Sequence, residues 1–139
     1  DGFKRALQTT GIEVGRDAAE VDRLEQAALT GAGGDEGRVV GASDLAATTN
    51  TTVYTVPAST LAAFSINVCN RGAVDARVRL ALADSGTPGS AEYLEYDALL
   101  PANGVLERSG LTLQADKRVV AYSSVANVSV LVVGIEEAA

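Results

Sequence analysis

The chain has 139 residues with a formal net charge of −7 at pH 7, and 47% of its residues are hydrophobic but only 4% aromatic. This length predicts one domain with an appendage, and the acidic balance argues against nucleic acid and anionic membranes as partners, because both attract basic surfaces. Histidine is absent and Cys69 is the single cysteine, which excludes a Ser-His-Asp triad, a Cys-His pair, an intramolecular disulfide and a cysteine-based zinc site. No apolar run reaches the roughly 18 residues expected of a membrane span.

Residues 1–37 are predicted to form an N-terminal arm. Asp17 and Glu20 fit a capping box with Asp17 as the N-cap of a helix over residues 17–30. One apolar stripe follows on this helix, formed by Val21, Leu24 and Ala28. Residues 31–37 read GAGGDEG and predict a flexible linker. A helix of about 14 residues is marginal by itself in water, so we expect its apolar stripe to pack on another surface.

Residues 38–139 show a hydrophobic period of two and predict the single domain of the chain, built from strands. Seven or eight strands are expected at a spacing of roughly 10 residues, joined by short turns. They cover residues 38–43, 51–56, 62–70, 76–83, 92–99, 105–113, 117–123 and 127–135. Because no helical pattern interrupts them, the predicted fold class is mainly β: an antiparallel, jelly-roll-like β-sandwich with an N-terminal helical arm.

Alternation within the strands predicts which side chains face the core. Two sets are expected to point inward: Phe64, Ile66 and Val68, and Val78, Leu80 and Leu82. In the strand over residues 92–99, regular alternation would place Leu94 and Tyr96 on one face and Glu95 and Asp97 on the other.

The last predicted strand is apolar on both faces. Besides Val128, Val130 and Val132, it carries Leu131 and Val133 on the opposite side. Such a strand needs a cover on its outer face, and two covers stay open: the helical arm, or a neighbouring subunit. We therefore predict an interface that includes Val21, Leu24, Ala28, Leu131 and Val133.

Residues with catalytic chemistry are better interpreted as structural. The two carboxylates of a glycosidase could come from the set Glu92, Glu95, Asp97 and Glu107. The sequence shows no setting that would raise the pKa of one of these carboxyl groups, so we expect the four side chains to lie on solvated strand faces. Cys69 is expected to be a small buried hydrophobe, since no histidine can activate it. The glycines of residues 31–37 lack the Lys and Ser/Thr of a phosphate loop. The sequence predicts no catalytic, cofactor-binding or metal-binding residue and no cofactor.

Four segments carry a resemblance to a known group of proteins. They are TTVYTVPAS (51–59), INVCNRGAVDARVRLALAD (66–84), EYLEYDALLPANGVLERSGLTL (92–113) and VVAYSSVANVSVLVVGIEE (119–137). Together they resemble a small β-sandwich module of virion structural proteins in tailed bacteriophages, cyanophages among them. The most diagnostic pieces are VCNRG (68–72), EYD (95–97), residues 101–106 and ANVS (126–129). The resemblance does not extend to the first 50 residues.

The resemblance implies a virion location and a non-enzymatic role as a capsid decoration (cement), neck, baseplate, tail or fibre component. The implied partners are other virion proteins, namely a major capsid, neck or tail protein. We also expect a homo-oligomer, with a trimer as the first candidate stoichiometry. The alternative is a carbohydrate- or host-surface-binding module of a fibre. The low aromatic content speaks against this alternative, and a concave face bearing Tyr93, Tyr96 and Tyr122 would speak for it. An enzyme is the third hypothesis, disfavoured because the chain lacks histidine.

Overall fold

The computed structural model describes residues 37–139. The predicted helix over residues 17–30, its apolar residues Val21, Leu24 and Ala28, and the linker up to residue 36 lie outside the described residues. The first strand begins at Arg38, the residue at which the sequence predicts it.

The described part of the chain contains eight strands and a 3-10 turn, so the prediction of seven or eight strands is confirmed. The strands are β1 (Arg38–Leu45), β2 (Thr51–Thr55), β3 (Thr60–Asn70), β4 (Ala76–Ala83), β5 (Tyr93–Leu100), β6 (Val105–Gln114), β7 (Arg118–Ser123) and β8 (Val128–Ala138). The 3-10 turn, Ser90–Glu92, leads directly into β5.

The strands form two four-stranded sheets. The first sheet has the order β1-β8-β3-β6, and the second has the order β2-β7-β4-β5. Every strand pairing within them is antiparallel. Except for β4 and β5, which are neighbours in the second sheet, consecutive strands belong to different sheets. The expected mainly β, antiparallel, two-sheet architecture is therefore confirmed for the described residues.

The hydrophobic core lies between the two sheets and follows the predicted alternation. From the first sheet, it contains Phe64, Ile66 and Val68 of β3 and Val128, Val130 and Val132 of β8. From the second sheet, Val78 and Leu80 are buried and Leu82 packs against them half-buried. Complete burial of such a side chain contributes about 1.5–3 kcal/mol, so this set of apolar residues contributes much of the driving force for sandwich formation.

Strand β5 departs from regular alternation, and the predicted assignment of its faces is wrong. Val78 pairs with Ala98, but the next ladder pair joins Leu80 to Glu95, so Arg79 alone lies opposite two residues, Tyr96 and Asp97. This is a β-bulge, and a second register shift follows between Leu80 and Ala81, which pairs with Tyr93. Because of these two irregularities, Leu94 packs against the core, whereas Tyr96, predicted on the same face as Leu94, lies with Arg79 on the outer face.

Polar contacts link the two sheets on both sides of the core. On one side, the Tyr54 hydroxyl of β2 donates a 2.5 Å hydrogen bond to Glu136 of β8, which also accepts one from Arg38 at 2.7 Å. Burial, together with the neighbouring Glu136 carboxylate, raises the pKa of Tyr54 above its ordinary value. On the other side, Glu95 of β5 forms a salt bridge with Arg108 of β6. The two sheets are thus fastened by side chains as well as by core packing.

Asn70, at the end of β3, is a fully buried polar residue that organises one end of the sandwich. Its amide nitrogen donates to the carbonyl oxygens of Val74, Leu100 and Pro101 at 2.8, 3.1 and 3.2 Å. Its side-chain oxygen accepts from the Gly72 N–H at 3.0 Å. Asn70 thereby joins the β3–β4 and β5–β6 connections.

Candidate functional site

The outer face of the second sheet gathers three of the four tyrosines of the chain. Tyr93 and Tyr96 come from β5 and Tyr122 comes from β7. Between them, on the central strand β4, lies Arg79, which pairs directly with Tyr122 across the strands. Because Val78 and Leu80 on either side of Arg79 are buried in the core, Arg79 must point outward, and the tyrosines in contact with it lie on the same face.

These side chains form a continuous row of planar groups. The Arg79 guanidinium carbon lies 4.2 Å from the centroid of the Tyr96 ring and 4.3 Å from that of Tyr122. The Tyr93 and Tyr96 rings meet edge to face, with centroids 4.8 Å apart and an interplanar angle of 84°. Both contact types are attractive, the first because a cation lies over a ring face and the second because a ring edge meets a ring face. We call Tyr122, Arg79, Tyr96 and Tyr93, in this order, the aromatic strip.

Asp97 holds the guanidinium of the strip in place. Arg79 Nε donates to Asp97 Oδ1 at 2.6 Å, and a terminal guanidinium nitrogen lies 3.4 Å from Oδ2. This hydrogen bond lowers the pKa of Asp97 below its ordinary value and raises the pKa of Arg79 above its ordinary value. Both groups are therefore charged at neutral pH and compensate each other, which leaves the Arg79–Asp97 pair without net charge.

The bulge in β5 explains how the sequence builds this arrangement. Asp97 has a φ of 55°, in the left-handed region that aspartate tolerates better than most residues. In a regular strand, Tyr96 and Asp97 would point to opposite faces; at the bulge, both reach Arg79. Tyr93 and Tyr96, three positions apart, share a face because the second register shift, between Leu80 and Ala81 of β4, interrupts the alternation between them.

A cavity of about 400 Å³ lies beside the strip, lined by Pro88, Ser90, Tyr93 and Tyr96. Two of these residues belong to the connection over residues 84–92, which also includes the 3-10 turn. Its Glu92 carboxylate accepts hydrogen bonds from the N–H groups of Gly89 and Asp84, at 2.8 and 3.2 Å. The cavity thus has one wall on a sheet and one on a connection that is held by its own hydrogen bonds.

This connection is also tied to its surroundings. Asp84 forms a salt bridge with Lys117, and this hydrogen bond raises the pKa of Lys117. Tyr93 packs against a small apolar cluster that is separate from the main core and consists of Ala81, Ala83 and Val120. Packing against this cluster fixes the position of Tyr93, which belongs both to the aromatic strip and to the wall of the cavity.

The outer face of the first sheet has a different character. Leu131 and Val133 of β8, which the sequence assigns to an interface, lie there with 43% and 37% of their surface exposed. Val39 of β1 pairs with Val133 and is 54% exposed. Their other cross-strand neighbours are uncharged: Ala42, Ser65 and Asn67. We call Val39, Leu131 and Val133 the apolar face. The other predicted interface residues, Val21, Leu24 and Ala28, lie outside the described residues.

The candidate catalytic residues are not brought together. Glu95 is paired with Arg108 and Asp97 with Arg79, so the expectation that these two carboxylates share a strand face is wrong, again because of the bulge. Cys69 is a free, half-buried thiol, more exposed than the buried hydrophobe expected from the sequence. Within residues 37–139, no group of three or more acidic or thiol side chains could hold a metal ion.

Sequence reasoning missed Val39 and the aromatic strip as a unit. The sequence names the three tyrosines as a condition for carbohydrate binding but does not connect Arg79 or Asp97 to them. In the described part of the chain, no helix is long and apolar enough to span a membrane. No family model and no curated protein matches this chain, so the two outer faces have to be interpreted from their own chemistry.

Proposed function

We propose that this chain is a non-enzymatic structural protein of a bacteriophage virion that acts through protein–protein assembly, as a capsid decoration, neck or tail-associated component. The observation that carries the assembly role is the apolar face of the first sheet. The virion location is supported by the resemblance of residues 51–137 to phage structural modules. The absence of histidine from the chain and the pairing of Glu95 and Asp97 with arginines support a role without catalysis.

The strand order supports a jelly roll as the specific form of the sandwich. The orders β1-β8-β3-β6 and β2-β7-β4-β5 arise when an eight-stranded chain is wrapped so that its ends meet in one sheet. Viral capsid domains use this architecture, and so do lectins and cupins. A fold shared by several functions does not select one of them, which is why the assembly role depends on the surface.

The chemistry of the apolar face favours a second copy of this chain as its partner. Leu131 and Val133 belong to an inner strand of the sheet, flanked by β1 and β3, so the face is broad enough for another sheet to cover. Covering apolar surface contributes about 25 cal/mol per Å² before ordering costs. A chain with a net charge of −7 repels its own copies. The direct neighbours of Leu131 and Val133 on β1 and β3 are uncharged, and the carboxylate in the Leu131 row, Glu107, lies on the edge strand β6, so this repulsion is weakest at the centre of the face.

Sedimentation of the full chain tests this assembly role. We expect the wild type to be a homo-oligomer at micromolar concentration, a trimer in the first instance, and Leu131→Lys to be a folded monomer, because the new ammonium would be buried without a partner. Leu99→Lys is the matched control, since Leu99 is 52% exposed on the outer face of the second sheet. A wild type that stays monomeric, or a Leu131→Lys variant that still associates, contradicts the proposal.

The virion location and the arm need separate experiments. Mass spectrometry of purified phage particles should detect the chain in a fixed ratio to the major capsid, neck or tail protein, and its absence from particles would refute the location alone. We further propose that residues 1–37 attach the sandwich to that neighbouring protein. Deleting them should leave a folded β domain that is lost from particles, whereas incorporation at wild-type stoichiometry would refute the role of the arm.

A further inference from the structure

The aromatic strip and the cavity beside it have the dimensions of a small-molecule site. The cavity of about 400 Å³ lies in the range of roughly 300–1,000 Å³ that is usual for such sites. Tyr96 lines it and keeps 58% of its surface exposed, although Arg79 covers one face of its ring. An exposed aromatic ring at the mouth of a cavity offers a flat apolar surface on which a ligand can stack.

The charges of the site select against ionic ligands. Arg79 is already bound by both Asp97 oxygens, so an anionic ligand would have to displace a carboxylate to reach it. A cationic ligand on the open face of Tyr96 or Tyr122 would lie across the ring from the Arg79 guanidinium, whose carbon is 4.2 and 4.3 Å from the two ring centroids, and the like charges would repel each other. The ligand that meets neither obstacle is neutral.

The uncommitted groups of the site are ring surfaces and hydroxyls. Tyr93, Tyr96 and Ser90 each carry a hydroxyl that both donates and accepts hydrogen bonds, and the tyrosine rings and Pro88 supply apolar surface. A pyranose has the matching chemistry, since its C–H bonds form an apolar face while its hydroxyls point outward from the ring. We propose that this site binds a neutral carbohydrate, with one sugar ring stacked on Tyr96 and its hydroxyls directed toward Ser90 and Tyr93.

The walls of the site are held in place by contacts that do not involve the ligand. Glu92 fixes the connection over residues 84–92 through the N–H groups of Gly89 and Asp84, and Lys117 anchors Asp84. On the sheet side, Asp97 holds Arg79 between two rings. A site that is rigid before binding loses little conformational entropy on binding. This matters for a sugar, because each of its contacts contributes only a small binding free energy.

A proline-rich segment is the competing occupant, because such segments also bind aromatic surfaces. A polyproline II helix rises about 3.1 Å per residue and presents side chains along an extended line, so it requires a long groove. Here, the lining residues among those that the structure describes, Pro88, Ser90, Tyr93 and Tyr96, form a local cavity. The local shape favours a single sugar ring or the end of a short oligosaccharide.

Ligand-observed NMR with the full chain tests the proposal. The probes are methyl pyranosides of glucose, galactose, mannose and N-acetylglucosamine with their disaccharides, and a polyproline peptide is included as the competitor. We expect at least one neutral sugar to bind, and Tyr96→Ala to weaken that binding at least about tenfold, the effect usual for truncating a central aromatic contact. Leu99→Ala, on the same strand and outer face but away from the cavity, should bind the sugar as the wild type does.

Melting curves establish that each variant is folded. The proposal is overturned if no sugar of the panel binds the wild type, if Tyr96→Ala binds as tightly as the wild type, or if only the polyproline peptide binds in a Tyr96-dependent manner. Ser90→Ala gives an independent measurement, since loss of one hydroxyl should alter the ranking among epimeric sugars. This site does not depend on the apolar face of the first sheet, so sedimentation and sugar binding can fail separately.

Discussion

Replacing Asn70 by alanine removes the side chain that joins two connections at one end of the sandwich. The substitution leaves the buried carbonyl of Leu100, the partly buried carbonyls of Val74 and Pro101, and the Gly72 N–H without their present partner. An unsatisfied buried polar group costs about 1–3 kcal/mol and a partly hydrated one costs less. We estimate a total loss of roughly 3–4 kcal/mol, which is large against the ~5–15 kcal/mol stability of ordinary domains.

Thermal and urea unfolding measured by circular dichroism would give this value. For a domain of this size, the melting temperature should fall by roughly 10–25 °C. The control is Asn50→Ala, an exposed asparagine in the connection between β1 and β2, with an expected change within about 0.5 kcal/mol. A loss below about 1 kcal/mol for Asn70→Ala would refute the reasoning, because it would mean that water replaces the amide at no cost.

Two further predictions concern the core. Tyr54→Phe should cost roughly 1.5–3 kcal/mol at neutral pH, the value of a hydrogen bond to a charged group. The pKa of Tyr54 is raised on folding, so the stabilisation by its hydroxyl is complete below the ordinary pKa near 10 and is lost as the pH rises further. Urea titrations at pH 8 and 11 should therefore show a larger decrease in the free energy of unfolding for the wild type than for the variant. Gly134→Ala should cost roughly 3 kcal/mol, since an added Cβ would lie 2.1 Å from the Ala63 carbonyl oxygen. Gly89→Ala, with its nearest contact at 3.7 Å, should be close to neutral in the same unfolding assay.

The strands and the core could be predicted because they depend on a simple period. Ile66, Val68 and Leu80 alternate with more polar residues, and an antiparallel sheet that is buried on one face requires that alternation. The order of the strands in the sheets could not be predicted, since it is decided by pairing between segments far apart in sequence. Asn70–Val128 and Ala83–Arg118 are such pairs.

Some residues of the candidate sites can be predicted from the pattern of a single strand, and others depend on pairing between strands that are distant in sequence. Leu131 and Val133 could be singled out as exposed apolar residues because they break the alternation within a single strand. Val39 was not found, because an irregularity in β1 between Val39 and Gly41 shifts its register. The aromatic strip depends both on a bulge that no composition rule indicated and on the alignment of β4 with β5 and β7.

The two outer faces place two kinds of chemistry on opposite sides of one core. Packed sheets are about 10 Å apart, so the apolar face of the first sheet and the aromatic strip of the second cannot be covered by the same flat partner. An oligomer formed through Leu131 and Val133 would therefore leave Tyr96 exposed in every subunit. Each copy of a shallow sugar site binds weakly by itself, but several sites held in one assembly engage a repeating polysaccharide together, and their effective concentration raises the overall affinity by orders of magnitude. Together, the two proposals predict that assembly through the first sheet makes a weak carbohydrate site on the second sheet an effective one.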